Sequence, residues 1–257
     1  MLQSRVIPCL LLKNRGLVKG MHFKEHQYVG DPINAVRIFN DKEVDEIAFL
    51  DITATNENKE PDYELIKDIA TECFIPFSYG GGIRKLDHAA KLFTLGVERV
   101  ILNSAAAEDP SLVNSISNAY GAQSVIVSVD VRRTRENNFE VFTHSGRKAR
   151  KVGLIDYVKS MEEAGAGEIL LTSIDRDGTL KGLDIELLNL ISKEVTIPVI
   201  ISGGAATIGD LKVAFDHGAS AVGAGAMFVY YGKHRAVLIT YPTQAELKQV
   251  SRKITAP

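Results

Sequence analysis

Tryptophan is absent from these 257 residues, and cysteine occurs twice, as Cys9 and Cys73. Two thiols set in apolar runs form neither a disulfide framework nor a metal-ligand spacing, and they read as buried side chains. The six histidines, His22, His26, His88, His144, His217 and His234, lack an HExxH or similar pairing, so no metal and no other cofactor is implied. A net charge of −2 supplies no global basic field for nucleic acid or an anionic membrane, so any anion binding must be local. Nowhere do 18 uncharged apolar residues run together, which excludes a spanning helix of ordinary length. The opening MLQSRVIPCLLL carries no basic n-region ahead of a small-residue cleavage site, and a cytoplasmic protein is expected.

What is present is alternation. Short β-branched runs give way to stretches of helical period, as VIPCLL then PINAVRIFNDKEV, EIAFLDI then DYELIKDIATEC, and PFSY then KLDHAAKLFTLG. The pattern continues through RVILN, SVIVSVDV, EILLTSI, PVIISG and SAVGAG, each with its helical partner, to make eight strand-helix units. Such alternation means a parallel sheet, and eight units in roughly 250 residues favour an α/β fold closed into a (β/α)8 barrel. One domain spanning residues 1–257 is expected. An open doubly wound sheet would want a GxGxxG turn after its first strand, and none is there.

An internal repeat sharpens the reading. PFSYGGGI laid over PVIISGGA puts Gly81 on Gly203, and EIAFLDI over EILLTSI puts Asp51 on Ser173; both pairs are 122 residues apart. RVILNSA over SAVGAGA puts Asn103 on Gly225 at the same separation. Four βα units duplicated head to tail explain a constant offset at three strand ends, so the barrel should carry approximate twofold symmetry. Glycines at such ends admit two readings. They permit tight turns, or they let backbone N–H groups approach an anion at the start of a short helix. Their recurrence at Gly81-Gly82 and Gly203-Gly204, each followed about twenty residues on by Asn103-Ser104 or Gly225-Ala226, favours two phosphate sites and a ligand with a phosphate at each end.

Taken together, IPCL, LVKG, VGDP, FLDIT, GGGI, LNSAA, VDVRR, LLTSIDRDGT and SGGA resemble HisF, the cyclase subunit of imidazole glycerol phosphate synthase, across nearly the whole chain. The resemblance implies a two-phosphate substrate at the C-terminal face of the barrel, with Asp177 and Gly178 joining the glycine loops, and Lys19, Asp51 and Thr172 facing substrate. It also implies a separate HisH-like glutaminase whose ammonia enters from the opposite end. There a ring of two basic and two acidic residues gates the passage, and the matching positions are Arg5, Glu46, Arg99 and Glu168. HisF-like cyclases use two aspartates as an acid/base pair, one ending strand 1 and one ending strand 5. The second matches Asp130; the first falls on Leu11, an aliphatic side chain that cannot carry a proton at any pH. Leu11 is expected to pack against the strand-end core and narrow the mouth.

The start LLLKN and the aromatic-rich segment FVYYGKHRAVLITYP, residues 228–242, look like the AglZ-type branch of HisF relatives, associated with acetamidino modification of surface-polysaccharide sugars. That likeness implies work with a HisH-like glutaminase and a sugar amidotransferase, ammonia passing to an N-acetylated nucleotide sugar. Two other readings stand beside it: an ordinary cyclase of histidine biosynthesis, and a non-catalytic scaffold that binds a phosphorylated ligand. Lys19 falls in a loop after strand 1, where a cation could close over substrate or simply be solvated.

Overall fold

The computed structural model describes residues 2–254, so Met1 and residues 255–257 of the expected domain lie outside the described residues. Eight strands pair in parallel, each with the next and the last with the first: β1 (Arg5–Lys13), β2 (Ile47–Asp51), β3 (Phe77–Gly80), β4 (Arg99–Leu102), β5 (Val125–Arg133), β6 (Glu168–Ser173), β7 (Val199–Ser202) and β8 (Ala221–Ala224). The (β/α)8 barrel expected from the alternation is the fold. Among the described residues no helix is long and apolar enough to cross a membrane.

Helices follow from their caps and their apolar faces. Between β1 and β2, α1 (Pro32–Asp41) begins where the Asp31 carboxylate accepts the Asn34 N–H at 2.9 Å, and it buries Ala35, Val36 and Phe39 against the barrel. Its proline stands in the first turn, where a missing N–H costs nothing. After β2, α2 (Tyr63–Glu72) is capped in the same way by Asp62, and α3 (Leu86–Thr94) follows β3. Apolar residues from the outer strand faces and the helices form one large core. A second, smaller set, Ile7, Cys9, Ala48, Ile101, Ile126, Leu170, Ile200 and Ala221, fills the barrel's interior.

Twofold symmetry is visible in the strand bounds. β3 and β7 begin and end 122 residues apart, as do β4 and β8. The glycines obey it too. At Gly81 (φ +125°) an added Cβ would sit 2.6 Å from the Asp51 carbonyl oxygen, and at Gly203 (φ +96°) it would sit 2.5 Å from that of Ser173, the position equivalent to Asp51. Both turns therefore need glycine for the same reason, a close approach to the neighbouring strand end.

Two features of the sheet differ from the sequence expectation. The segment after β1 is no open loop: it turns tightly at Asn14-Arg15, both at positive φ, and returns as an antiparallel strand, Gly16–Met21, paired in turn with Lys24–Gly30. A second hairpin, Phe139–Thr143 with Lys148–Arg150, stands on β5. Lys19 thus belongs to a strand and is buried, which corrects its placement in a loop and the reading of it as solvated.

Candidate functional site

β1 and β5 are equivalent in the duplicated barrel, and their registers show which residues match. Leu11 pairs across to Leu50 of β2, and Asp130 pairs across to Thr172 of β6. Leu50 and Thr172 are themselves 122 residues apart, so Leu11 and Asp130 occupy matching places on opposite sides of the mouth.

A broad cleft opens at this C-terminal end. It is lined by Leu11, Asp130 and Thr172, by the glycine loops Gly81-Gly82 and Gly203-Gly204, by Asn103-Ser104 and Gly225-Ala226, and by Asp51, Asp177, Gly178 and Lys19. Every mouth residue singled out from sequence therefore faces one space. The short helices that start at Ser104 and at Ala226 have no side-chain cap, which leaves their first amides without a side-chain acceptor at the cleft wall.

Within the cleft the carboxylates have different company. Asp130 is buried, accepts from the Asn103 amide at 3.2 Å and from the Ser128 hydroxyl at 3.4 Å, and has its pKa pushed up to about 7 by burial, with the Asp177 charge adding to the rise and the Ser128 hydrogen bond opposing it. A carboxyl so placed changes protonation near neutrality. Asp51 caps its own turn, accepting from the Thr53 N–H and hydroxyl, both at 2.8 Å, and from the Ala54 N–H at 3.0 Å. Asp177 is paired with the Lys19 ammonium at 2.6 Å, both side chains nearly out of solvent. Lys19 also lays its methylenes against Gly225, where an added Cβ would sit 3.3 Å from Cε.

Leu11 stands half-buried in the cleft wall and belongs to neither apolar cluster, so it does not pack into the strand-end core as expected. It presents hydrocarbon to the space where its twin presents a carboxyl.

The hairpins add residues that sequence reasoning passed over. Phe23 and His26 from the first, and Ser145 from the second, line the cleft. Burial, together with the Lys19 and Lys13 charges, holds the His26 imidazole below its usual range. Ser145 donates to the Ile52 carbonyl at 2.8 Å, which carries the second hairpin across to the loop after β2.

The opposite end of the barrel holds Arg5, Glu46, Arg99 and Glu168. Each guanidinium reaches both carboxylates: Arg5 to Glu46 at 2.8 Å and to Glu168, Arg99 to Glu168 at 2.7 Å and to Glu46. The glutamates are almost fully enclosed while the arginines keep a fifth to a quarter of their side chains exposed. Burial pushes the Glu46 carboxyl up and the two guanidiniums pull it back; Arg5, against the same burial, is held above its usual value by its two carboxylate partners. A closed ring in which every charge has two opposite neighbours is the geometry in which buried charges become tolerable.

Between ring and mouth lies a small void bounded by Glu46 and Ser78 below and by Ile7, Ala48, Ile126 and Ile200 around. Cys9, Ile101 and Leu170 line both this void and the mouth. These three side chains, packed with the rest of the interior set, separate the void from the mouth by a single apolar layer. The Cys9 thiol in it has its pKa pushed up to about 12, chiefly by burial, and stays neutral. No cluster of histidine, cysteine, aspartate or glutamate among the described residues is arranged to hold a metal ion.

Residues 5–235 match the family described as Histidine biosynthesis protein. A Pseudomonas aeruginosa protein, provisionally named imidazole glycerol phosphate synthase subunit hisF2, is 54% identical over 243 residues, covering 94% of this chain and 97% of its own. A Leptospira interrogans protein, provisionally named the HisF subunit of the same synthase, is 46% identical over 248 residues, 96% of this chain and 98% of its own. Imidazole glycerol phosphate synthase subunit HisF of Streptomyces griseus is 42% identical over 227 residues, 88% and 90% of the two chains.

Proposed function

This chain belongs to the histidine biosynthesis protein family and, within it, to the HisF barrels, and from that premise we propose that it conducts ammonia from a HisH-like glutaminase without closing an imidazole ring. The ammonia serves acetamidino modification of a surface-polysaccharide nucleotide sugar, with a sugar amidotransferase as the consuming partner, as in the AglZ-type branch. The observation that carries this reading is Leu11 at the place matching Asp130.

A proton shuttle needs a group that gains and loses a proton on each side of the reacting atoms. Asp130, near neutrality, retains that capacity; Leu11 has none. The other mouth carboxylates are each engaged through Oδ1, Asp51 in its own turn and Asp177 with Lys19, and Asp177 Oδ2 is buried without a partner; neither stands at the place matching Asp130. The conducting parts are intact by contrast. Ammonia is small and neutral, and an apolar layer admits it while making the ammonium ion costly. The ring of Arg5, Glu46, Arg99 and Glu168 closes the lower end, so entry requires a guanidinium to swing, and the partly exposed arginines are the members free to do so. The glycine loops and uncapped short helices support retention of a phosphorylated ligand at the mouth.

The reading is tested by giving the purified chain ammonium and the ribulosyl formimino precursor of imidazole glycerol phosphate. Only trace ring closure is expected, whereas a HisH-like partner with glutamine should form a complex and show stimulated glutaminase activity. Turnover within about tenfold of a cyclase that has both aspartates would instead establish the histidine-pathway cyclase, the second reading, which the tuned Asp130 favours.

A further inference from the structure

The two glycine loops have the same backbone turn but different anchors. After β7, the Gly204 carbonyl accepts the Gly182 N–H at 2.9 Å, and the Ala206 N–H donates to the Asp210 carboxylate at 2.9 Å. These are two separate partners, a backbone N–H that only donates and a carboxylate that accepts. After β3, the equivalents of Gly204, Ala206 and Asp210 are Gly82, Arg84 and His88, each 122 residues earlier. Here one atom serves both tasks: His88 Nδ1 lies 3.2 Å from the Gly82 carbonyl oxygen and 3.4 Å from the Arg84 backbone nitrogen.

One ring nitrogen cannot do both at once. It donates to Gly82 only when it bears a proton, and it accepts from Arg84 only when it does not. The ring's other nitrogen, Nε2, faces Glu60 at 3.4 Å. With Nε2–H turned to Glu60, the neutral ring offers Nδ1 as an acceptor to Arg84; on protonation both nitrogens donate, and Nδ1–H turns to Gly82. His88 is buried, so water does not take over either contact.

We propose that His88 is a proton-operated positioning residue for the anion loop after β3, fixing the Gly82–Ile83 peptide when protonated and releasing it when neutral, while the loop after β7 is set permanently. In a trans peptide the C=O and N–H point in opposite directions. Holding the Gly82 carbonyl on the His88 side therefore turns the Ile83 N–H away, toward the cleft that Gly82 and Ile83 line. The proposal rests on the reading that these loops hold phosphate groups. It gives a ligand with two anionic ends one pH-sensitive anchor and one fixed anchor, so low pH tightens the β3 end selectively.

Glu60 is the ionisable partner of the ring. The others about it are Lys59 on the same loop, Asp62 and Tyr63 at the start of α2, and Arg84, Asp87 and Lys91 on or beside α3. Lys91 rests over the Tyr63 ring, and the Arg84 guanidinium is taken by Asn58, so neither is free to replace the imidazole.

The test is nuclear magnetic resonance on the intact chain from pH 5.5 to 8, following the His88 ring and the backbone amides of both loops, without and with sulfate, whose charge is constant over that range. The Ile83 and Arg84 amides should move with the His88 ring at one midpoint, and the Ala205 and Ala206 amides should not. Sulfate should bind the β3 loop about fivefold more tightly at pH 6 than at pH 8, the worth of roughly one net hydrogen bond, and raise the His88 midpoint in return. His88→Asp and His88→Gln should abolish the pH dependence at that loop alone. The proposal is overturned if the His88 ring does not titrate, if the Ile83 and Arg84 amides ignore it, or if either variant keeps the wild-type pH dependence. Sulfate silent at both loops, with the amides still following His88, would instead remove the phosphate reading and leave the positioning role standing.

Discussion

The two ends of the barrel treat charge in opposite ways. At the floor, four buried or half-buried ions satisfy one another in a closed ring, each touching two of opposite sign. At the mouth, Asp130 faces a hydrocarbon where symmetry would place its counterpart, and its carboxyl is left with neutral donors. The floor therefore closes with its charges in balance, and the mouth carries one buried carboxyl, Asp130, opposite a hydrocarbon, Leu11. A leucine at the mouth disturbs no hydrogen bond among the described residues, whereas deleting any ion of the floor takes one of its two partners from each of two others.

The largest effect should come from breaking the floor. Glu46→Ala leaves the Arg5 and Arg99 guanidiniums with a single shared carboxylate and should cost about 3–5 kcal/mol in urea unfolding; a loss below 1 kcal/mol would show the ring to be dispensable. Next in size is restoration of the mouth: Leu11→Asp should raise ring closure on the formimino precursor by about 10²-fold or more, and an unchanged rate would mean that more than this side chain separates the chain from a cyclase. Third is Asp130→Asn, whose size depends on pH. The Asp130 pKa is raised from near 4 unfolded to about 7 folded, so below pH 4 both states are protonated and the group contributes nothing. As pH climbs from 4 to 7 the unfolded chain releases its proton first, and folding loses up to about 4 kcal/mol, fully so above 7. Asp130→Asn should thus gain stability over the wild type between pH 4 and pH 8, seen as a rising difference in Tm; a constant difference would refute the raised pKa. The smallest change is expected from Tyr241→Phe, which removes the 2.9 Å hydrogen bond to the Val6 carbonyl beside the floor and should cost about 1 kcal/mol.

Much of this was legible in the sequence because it is written in period and in glycine. Strand runs such as VIISG and helices such as LIDYVKSMEEAG declare themselves through apolar spacing, and the strained turns at Gly81 and Gly203 left a repeat that no other residue could have satisfied. The hairpins were silent for a physical reason. The returning strand Lys24–Gly30 is mostly exposed, so it shows no apolar alternation, and KNRG reads as the start of an open loop when it is a two-residue turn at Asn14-Arg15. Hence nothing in the sequence marks Phe23, His26 or Ser145 for the cleft, and Lys19 reads as a loop residue. His88 was invisible as well: a histidine on a helix carries no mark of which carbonyl it will meet.

The hairpins stand on β1 and β5, about a quarter turn around the barrel from the glycine loops that follow β3 and β7. The opening is thereby walled along one diameter and edged by glycine turns at both ends of the other. A molecule entering it would be measured twice, for span between the glycines and for girth between the hairpins, and a rigid body too broad for the second gauge would be turned away however well its tips suited the first.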